Sequence, residues 1–243
     1  MDPNEIHRGI GIAVWRQIQR TLEQEIAQGR LRPGDRLPTE HELAAMFKVN
    51  RHTVRRALAE LEEKGVLRVE QGRGTFVHEA ILAYPLSRRT RFSANLKNAG
   101  REAGARLLSS CCVAADAAVA TALGLDPGAA VVILETAGSA DGRPIDNARQ
   151  HFAAARFPDL VEVYGQAGTI TATLRHYGVI DYERKWTRIQ ARMPSDAEAD
   201  VLLLPRNRPV LITEALDVDS DDRPLLYGIT CFASDRVQLV VES

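Results

Sequence analysis

Signals of several common protein classes are absent from this sequence. The chain of 243 residues has three cysteines, and the adjacent Cys111 and Cys112 with the distant Cys231 form neither a disulfide framework nor a CxxC metal pair. No stretch approaches the roughly 20 apolar residues that a membrane span needs. The N-terminus also lacks a long apolar run after a basic start. These absences argue against a secreted disulfide scaffold and a membrane protein, so we expect a soluble protein of the cytoplasm.

Motifs of common catalytic sites are missing as well. The sequence contains no nucleophile elbow, no HExxH and no GxxxxGK[ST]. His151 and His176 stand apart from other candidate ligands, and no close grouping of His, Asp and Glu suits a metal ion or acid–base catalysis. We therefore expect no enzyme activity, no metal ion and no cofactor.

Net charge is close to zero, but its two signs are unevenly distributed. Residues 1–78 hold 13 Lys and Arg against 11 Asp and Glu, which leaves 18 against 21 for the remainder. The densest basic part is the segment 48–56, which carries four positive charges and no acid. The hydrophobic content of 45% is sufficient for the cores of two ordinary domains.

The basic segment has the pattern of a helix with two different faces. Asn50 is a favourable N-cap, so the first helical turn would begin at Arg51, where free backbone N–H groups attract phosphate. Arg51 and Arg55, four residues apart, share one face. The apolar residues form a separate stripe at Val54, Leu58 and Leu61. This pattern is typical of a DNA recognition helix, and a solvated charge run on an ordinary amphipathic helix is the alternative.

Both flanks of the segment favour the recognition helix. Upstream, Thr39 and Glu42 have the spacing of a capping box at the start of a short helix. Downstream, the strand-like segments 66–69 and 75–77 flank a glycine-rich, basic tip at 70–74, which predicts a β-hairpin. Two helices joined by a short turn form a helix-turn-helix, and the hairpin that follows makes it a winged one.

These residues resemble the DNA-binding domain of GntR-type bacterial transcription regulators. The resemblance rests on the runs Leu-Pro-Thr-Glu-x-Glu-Leu at 37–43, Val-Asn-Arg-His-Thr-Val-Arg-Arg-Ala-Leu at 49–58, and Gln-Gly-Arg-Gly-Thr-Phe-Val at 71–77. It implies base reading by Arg51 and Arg55. The other implied contacts are His41 at the backbone or a base, His52 and Thr53 at phosphate, and Gln71, Gly72 and Arg73 at the tip of the wing. For His41 and His52, a solvated surface position is the alternative.

From about residue 91 the chain alternates between strand-like and helix-like segments. Strands are predicted at 107–113, 131–137, 145–152, 182–193, 210–218, 225–233 and 237–241, with short helices between several of them. This order predicts a mainly antiparallel α+β domain. The segment before it lacks clear periodicity. We therefore predict a DNA-binding domain over 1–78, a linker over 79–90 and a second domain over 91–243.

The second domain resembles the effector-binding (UTRA) domain of the HutC-like branch of GntR regulators, whose fold is similar to chorismate lyase. The motifs are Arg-Phe-Ser-x-Asn-Leu at 91–96, Ala-Asp-Gly-x-Pro-Ile at 140–145, and the ending Asp-Arg-Val-Gln-Leu at 235–239. Within the branch, they are most similar to regulators of phosphonate uptake and metabolism. The resemblance implies a homodimeric repressor that binds double-stranded operator DNA. It also implies an anionic small-molecule effector whose binding is coupled to DNA binding through the linker.

The expected effector site departs from the branch pattern in its charge. Related domains often carry Arg-x-Arg where this chain has Thr136-Ala137-Gly138, and glutamate where it has Ala148 and Leu226. These changes leave open a regulator whose second domain only dimerises. An enzyme with a lyase-like second domain is a further alternative, although it has no positive evidence in the sequence.

Basic side chains remain on one predicted strand. Arg184, Arg188 and Arg192 repeat every four residues and would share one face, where a guanidinium fork could hold a carboxylate, phosphate or phosphonate. A solvated or ion-paired outer face is the alternative. The predicted effector contacts are Asn95, Thr136, Gln150, Arg184, Arg188, Tyr227 and Thr230.

Overall fold

The computed structural model describes residues 12–70, 72–79 and 81–241, so the predicted wing residue Gln71 lies outside the described residues. The chain forms two compact units, which meet in sequence between residues 80 and 81. Each unit has its own apolar core. The units are therefore described separately.

The described part of the first unit consists of helices followed by a hairpin. Its elements are α1 (Val14–Ala27), α2 (Glu40–Met46), α3 (Arg51–Glu63), β1 (Leu67–Glu70) and β2 (Gly74–Val77). The predicted capping box is confirmed, because the Thr39 hydroxyl accepts from the Glu42 backbone N–H while the Glu42 carboxylate accepts from the Thr39 N–H. The Asn50 side chain accepts from the His52 N–H and caps α3 as predicted.

One core holds the three helices and the hairpin together. Ile18 and Leu22 of α1 are fully buried with Leu43 of α2. The predicted apolar stripe of α3 is confirmed, since Val54, Leu58 and Leu61 are all buried. Burying a leucine or valine side chain contributes roughly 1.5–3 kcal/mol. The buried stripe fixes which face of α3 is left for solvent.

The second unit is built on a six-stranded sheet in which neighbouring strands are antiparallel, as predicted. Its strands in chain order are β4 (Ala103–Ala114), β5 (Ala130–Ala140), β6 (Arg143–Ala153), β7 (Glu183–Arg192), β8 (Val210–Val218) and β9 (Pro224–Ala233), and the spatial order is β4-β5-β6-β9-β8-β7. A separate parallel pair consists of β3 (Leu82–Pro85) and β10 (Val237–Val240).

Helices cover both faces of the large sheet. They are α4 (Phe92–Asn98), α5 (Ala117–Leu123), α6 (Leu160–Ala167), α7 (Ile170–His176) and α8 (Asp196–Val201). Leu160 of α6 and Leu174 of α7 share a core with Leu134 and Phe152 of the sheet. Residues of α5 share a different core with Val131, Leu216 and Tyr227. We call these two surfaces the α6 face and the α5 face of the sheet.

The segment interpreted as a linker differs from the prediction. Residues 82–85 form β3, and Leu82 and Tyr84 are buried in a core that also contains Val237 and Phe232. The strand is only four residues long and its partner lies more than 150 positions later, so no local pattern marks it. Residues 82–85 therefore belong to the second unit.

Candidate functional site

The first two turns of α3 carry the two arginines predicted to read bases. Asn50, Arg51, His52 and Arg55 line a shallow depression on the surface of the first unit. The side chains of Arg51 and Arg55 are 59% and 57% exposed. Both guanidinium groups are therefore accessible next to the positive end of the helix dipole, which is an arrangement that attracts an anionic partner.

An acid on α2 holds both guanidinium groups. Arg55 donates from Nε and Nη2 to the two carboxylate oxygens of Glu40 at 3.0 and 2.8 Å, and Arg51 Nη2 lies 3.5 Å from Glu40 Oε2. The hydrogen bonds from Arg55 lower the pKa of Glu40 below its usual range. The carboxylate thus fixes the spacing of the two arginines. This role was not predicted from the sequence, although Glu40 stands inside the Leu-Pro-Thr-Glu run.

Three other predicted DNA contacts stand on these two helices, one on α2 and two in the first turn of α3. His41 and His52 are exposed, and Thr53 is half-buried within the first turn of α3. Their side chains are therefore on or near the surface, as a contact to a phosphate backbone requires.

The hairpin carries a second basic group. Gly72 is exposed at φ 76°, a left-handed conformation that favours glycine. The Arg73 guanidinium pairs with Glu70 and lies 5.6 Å from the ring centre of Phe76. Arg73 is therefore folded against the hairpin in this structure, with about a third of its side chain exposed.

A cavity of about 130 Å³ lies on the α6 face of the second unit. That is roughly ten times the 10–15 Å³ that one water molecule requires. Its floor is a row of small side chains on four adjacent strands, in the order Thr136, Ala148, Thr230 and Thr213. These short side chains leave space above the middle of the sheet.

The walls of the cavity come from the segment that opens the second unit and from the covering helices. Tyr84 of β3 and Arg91 line one part, while Tyr164 of α6 and Tyr182 line others. The Arg91 guanidinium stacks 3.4 Å from the ring centre of Tyr182 and donates to the Tyr182 carbonyl oxygen at 2.6 Å. This stacking keeps one cation at the edge of the cavity.

Two aspartates lie in the same cavity. Asp217 is buried and accepts a hydrogen bond from Arg184 Nε, so the carboxylate and the guanidinium group form an ion pair. Asp146 is 4% exposed, and burial raises its pKa to about 7. Its Oδ2 atom has no hydrogen-bond partner among the described residues, nor does the buried Oε1 atom of Gln150.

A glycine makes room for Asp146. A Cβ at Gly138 would lie 2.7 Å from both Asp146 Oδ1 and Phe92 Cζ, which is closer than real side-chain contacts allow. The second arginine of the branch pattern would stand at this position. Gly138 therefore leaves room for a buried carboxyl group at this end of the cavity.

The cavity brings four of the predicted effector contacts together: Thr136, Gln150, Arg184 and Thr230. The other three side chains have different partners. Asn95 Nδ2 donates to the Pro85 carbonyl oxygen at 3.0 Å, and the Tyr227 hydroxyl donates to Glu214 Oε1 at 2.9 Å on the α5 face.

Arg188 lies on the opposite face from Arg184, which corrects the prediction that the three arginines share one face. The pairing of β7 with β8 shifts between Arg184 and Trp186, so a β-bulge at this point reverses the alternation of side chains. Arg188 instead lies 4.7 Å above the Trp186 ring and pairs with Glu214. Arg192 pairs with Glu198 at 2.7 Å.

The acids of the cavity, Asp146 and Asp217, and the basic Arg91 were not predicted from the sequence either. Asp146 and Asp217 stand at inward positions of strands, where alternation predicts apolar residues, so no local signal distinguishes a buried acid from an exposed one. Arg91 is the first residue of the Arg-Phe-Ser-x-Asn-Leu motif that carries the resemblance. That motif could have identified Arg91 as a candidate effector contact.

Other chemistry has no matching arrangement in the described parts of the chain. There, no group of three or more His, Cys, Asp or Glu side chains is placed to hold a metal ion. His151 is buried with Nδ1 3.1 Å from the Tyr227 carbonyl oxygen, whereas His176 is exposed. None of the described helices combines the length and apolar character needed to cross a membrane.

Two family models match the chain. The model described as bacterial regulatory proteins, gntR family, matches residues 15–77, and the UTRA domain model matches residues 98–238. The two matches fall in the first and second structural units, respectively.

Individual relatives cover nearly the whole chain. An uncharacterized HTH-type transcriptional regulator of Rhizobium meliloti is 41% identical over 98% of both chains. The HTH-type transcriptional repressor PhnF of Mycolicibacterium smegmatis is 31% identical over 85% of this chain and 84% of its own. The crystal structure of PhnF from Mycobacterium smegmatis matches with a TM-score of 0.66 at 28% identity, covering 95% of this chain and 99% of that one.

Proposed function

Because the chain belongs to the GntR family of bacterial regulatory proteins, in its HutC-like branch, we propose that it is a homodimeric repressor released from its operator by a small anionic effector. The chain is a DNA-binding transcriptional regulator with a UTRA effector domain, and it is not an enzyme. The proposal concerns the finer points: the contacts, the dimer, the repression and the effector.

The observation that carries the DNA-binding proposal is the exposed pair Arg51 and Arg55 on the first turns of a capped helix. In our proposal α3 enters the major groove and both guanidinium groups read base edges. A bidentate arginine–guanine contact contributes roughly 1–3 kcal/mol of base discrimination. The contacts proposed at phosphate or the wing are His41, His52, Thr53, Gln71, Gly72 and Arg73.

Sequence-specific binding by this unit favours two copies. One α3 helix reads only a few base pairs, and two half-sites about one helical turn apart match a protein with two-fold symmetry. A palindromic operator would then be bound by a homodimer. Sedimentation of the protein with and without a palindromic duplex tests this point: a complex of one chain per duplex at saturation would contradict it.

The effector is proposed to bind in the cavity on the α6 face. Arg91 and Arg184 supply the cationic groups there, and the resemblance to phosphonate regulators suggests a compound of phosphonate or phosphorus metabolism. Tyr84, Thr90 and Arg91 belong to the segment that opens the second unit, and all three line the cavity. A bound ligand therefore contacts the chain close to the point where the two units join.

Release requires the effector to prefer the arrangement that does not bind DNA. Coupling of this kind is typically worth 1–3 kcal/mol, or about 5–150-fold in affinity for the operator. We propose that ligand contacts with the opening segment of the second unit change the separation of the two winged units in the dimer. Repression is the proposed sign, and one relative of the chain is named a repressor.

The absence of charged side chains at several cavity positions favours a second candidate function. The positions where related domains often carry arginine or glutamate all line the cavity, but here they hold Thr136, Gly138, Ala148 and Leu226. On this alternative, the second unit only dimerises. Thermal melting of the chain with a panel of phosphate, phosphonates and sugar phosphates separates the two. A saturable rise in melting temperature supports an effector site, whereas no shift with any compound supports dimerisation alone.

A further inference from the structure

The cavity contains a buried acceptor without a donor. Asp146 is 4% exposed, lines the cavity, and its Oδ2 atom has no hydrogen-bond partner among the described residues. An unsatisfied buried polar group costs about 1–3 kcal/mol, and more when it is charged. Gln150 Oε1 is also unpaired, but an amide group can turn over and present its N–H₂ instead. Asp146 therefore carries the argument.

The charged groups of the cavity are balanced. Arg91 and Arg184 provide two positive charges, and Asp146 and Asp217 provide two negative ones when both are ionised. Arg184 already pairs with Asp217, and Arg91 lies 3.2 Å from Asp181 outside the cavity lining. A purely anionic ligand would meet the two guanidinium groups, but it would leave the Oδ2 atom of Asp146 without a donor. A ligand that carries one charge of each sign would satisfy both ends.

The opposite charges also lie at different places on the sheet. Asp146 is on β6 and Arg184 is on β7, three strand steps or roughly 14 Å apart across the order β6-β9-β8-β7. The register also offsets them by six residues, roughly 20 Å, along the strands, because Asp146 is level with Leu211 and Arg184 with Asp217. Between them the floor consists of threonine and alanine side chains, which offer hydroxyl groups but little bulk. A molecule lying across this floor would therefore meet opposite charges at its two ends.

We propose that the effector is a small zwitterion, with an ammonium group against Asp146 and an anionic group against Arg184 and Arg91. This inference rests on the proposed function, because it assigns the ligand class of the same cavity. An ammonium group supplies three donors and no acceptor, which matches an unpaired carboxylate oxygen. Its positive charge also favours the ionised form of a carboxyl group that burial otherwise disfavours.

A protonated Asp146 that donates to an anionic ligand is the alternative, and it predicts a different result when Asp146 is replaced by asparagine. If Asp146 were protonated and donated to a phosphate or carboxylate oxygen, asparagine would preserve a donor at that place and anion binding would persist. If an ammonium group lies there, asparagine removes the charge that holds it. Asp146→Asn therefore separates a zwitterion from a plain anion.

The test is calorimetric titration of the full chain with matched probes. The probes are 3-aminopropylphosphonate against propylphosphonate, and 4-aminobutanoate against butanoate. We expect at least one amino compound to bind tenfold or more tightly than its partner without the amine. Asp146→Asn should reduce that preference to less than threefold. Asp126→Asn, which makes the same change at an exposed position outside the cavity lining, should leave it intact.

Three outcomes would overturn the inference: equal binding within both pairs, no binding of any probe, or an unchanged preference in Asp146→Asn. The comparison within pairs uses the unmodified chain and does not depend on whether the variant folds. Operator binding is measured separately by anisotropy without probes. Loss of operator preference there would contradict the proposed function, whereas probe binding that leaves the operator complex intact would contradict effector control and support the ligand class.

Discussion

Arg55 offers the sharpest test of base reading by this protein. It lies one helical turn after Arg51 on the exposed side of α3, and two hydrogen bonds to Glu40 hold its guanidinium group. Replacement by alanine removes the fork from the surface. The buried face of α3, with Val54 and Leu58, is not changed, so the unit should remain folded.

The expected loss of operator affinity in Arg55→Ala is the difference between two opposing free-energy contributions. A bidentate contact to guanine contributes roughly 1–3 kcal/mol, and a dimer makes the contact twice, which gives about 2–6 kcal/mol for the operator. The exposed pair with Glu40 must be shared or broken on binding, but such pairs contribute only about 0–1 kcal/mol. Taking the middle of each range, about 4 kcal/mol for two guanine contacts less about 1 kcal/mol for two Glu40 pairs, Arg55→Ala should weaken operator binding on the order of 100-fold. Random DNA loses only one attractive charge per chain.

Anisotropy titrations with an operator duplex and a random duplex of equal length measure the effect. Arg56→Ala is the matched control, because Arg56 is on the same helix but lies 4.6 Å from the Trp15 ring. It should weaken both duplexes slightly and equally. Arg73→Ala should weaken both duplexes and reduce the dependence of affinity on salt. Equal losses on both duplexes for Arg55→Ala would refute base reading by this side chain.

Three further substitutions give distinct results. Glu40→Gln removes the acid between the two arginines, so random DNA should bind more tightly and the ratio of operator to random affinity should fall, as measured by the same titrations. Gly138→Ala places a methyl group against the Asp146 carboxylate, which should destabilise the chain by roughly 1–3 kcal/mol. It should also abolish ligand-induced shifts in melting temperature while operator binding persists. Normal ligand-induced shifts would contradict this expectation. The pKa of Asp146 is raised to about 7, so its protonated form favours the folded state below that pH, and this stability is lost as the pH rises through 7. Asp146→Asn should therefore melt increasingly above the unmodified chain between pH 4 and 8. A constant difference would show that this carboxyl group is not the source of the pH dependence. The facing Tyr84 and Tyr164 do not titrate in this range, because burial raises their pKa values further above the ordinary value of about 10.

The DNA-binding unit follows from the sequence because its signals are local. Thr39 and Asn50 cap helices through residues two or three positions away, and the hairpin closes over a few residues. The apolar stripe of α3 repeats within two turns. Side chains that act between elements are not marked in this way, which is why Glu40 was missed while its two arginine partners were identified.

The cavity depends on pairings between distant parts of the chain. β3 pairs with β10, and this places Tyr84 beside residues from the far end of the sequence. One unpaired residue in β7 separates Arg184 from Arg188, although both stand at positions of the same parity. A sequence pattern predicts alternation along a strand, but it does not show where a bulge reverses it. The succession of strands along the chain was predictable, but their spatial order in the sheet was not, and the lining of the cavity was predictable only in part.

The most direct test of effector-controlled repression is an anisotropy titration of the protein on DNA from upstream of its own gene. Inorganic phosphate, phosphonates, sugar phosphates and the amino-substituted probes are then added to the complex. We expect tight, salt-sensitive binding that one class of compound weakens by about 5–150-fold. Binding that no compound changes would contradict effector control, and binding no tighter than to random DNA would contradict specific operator recognition itself.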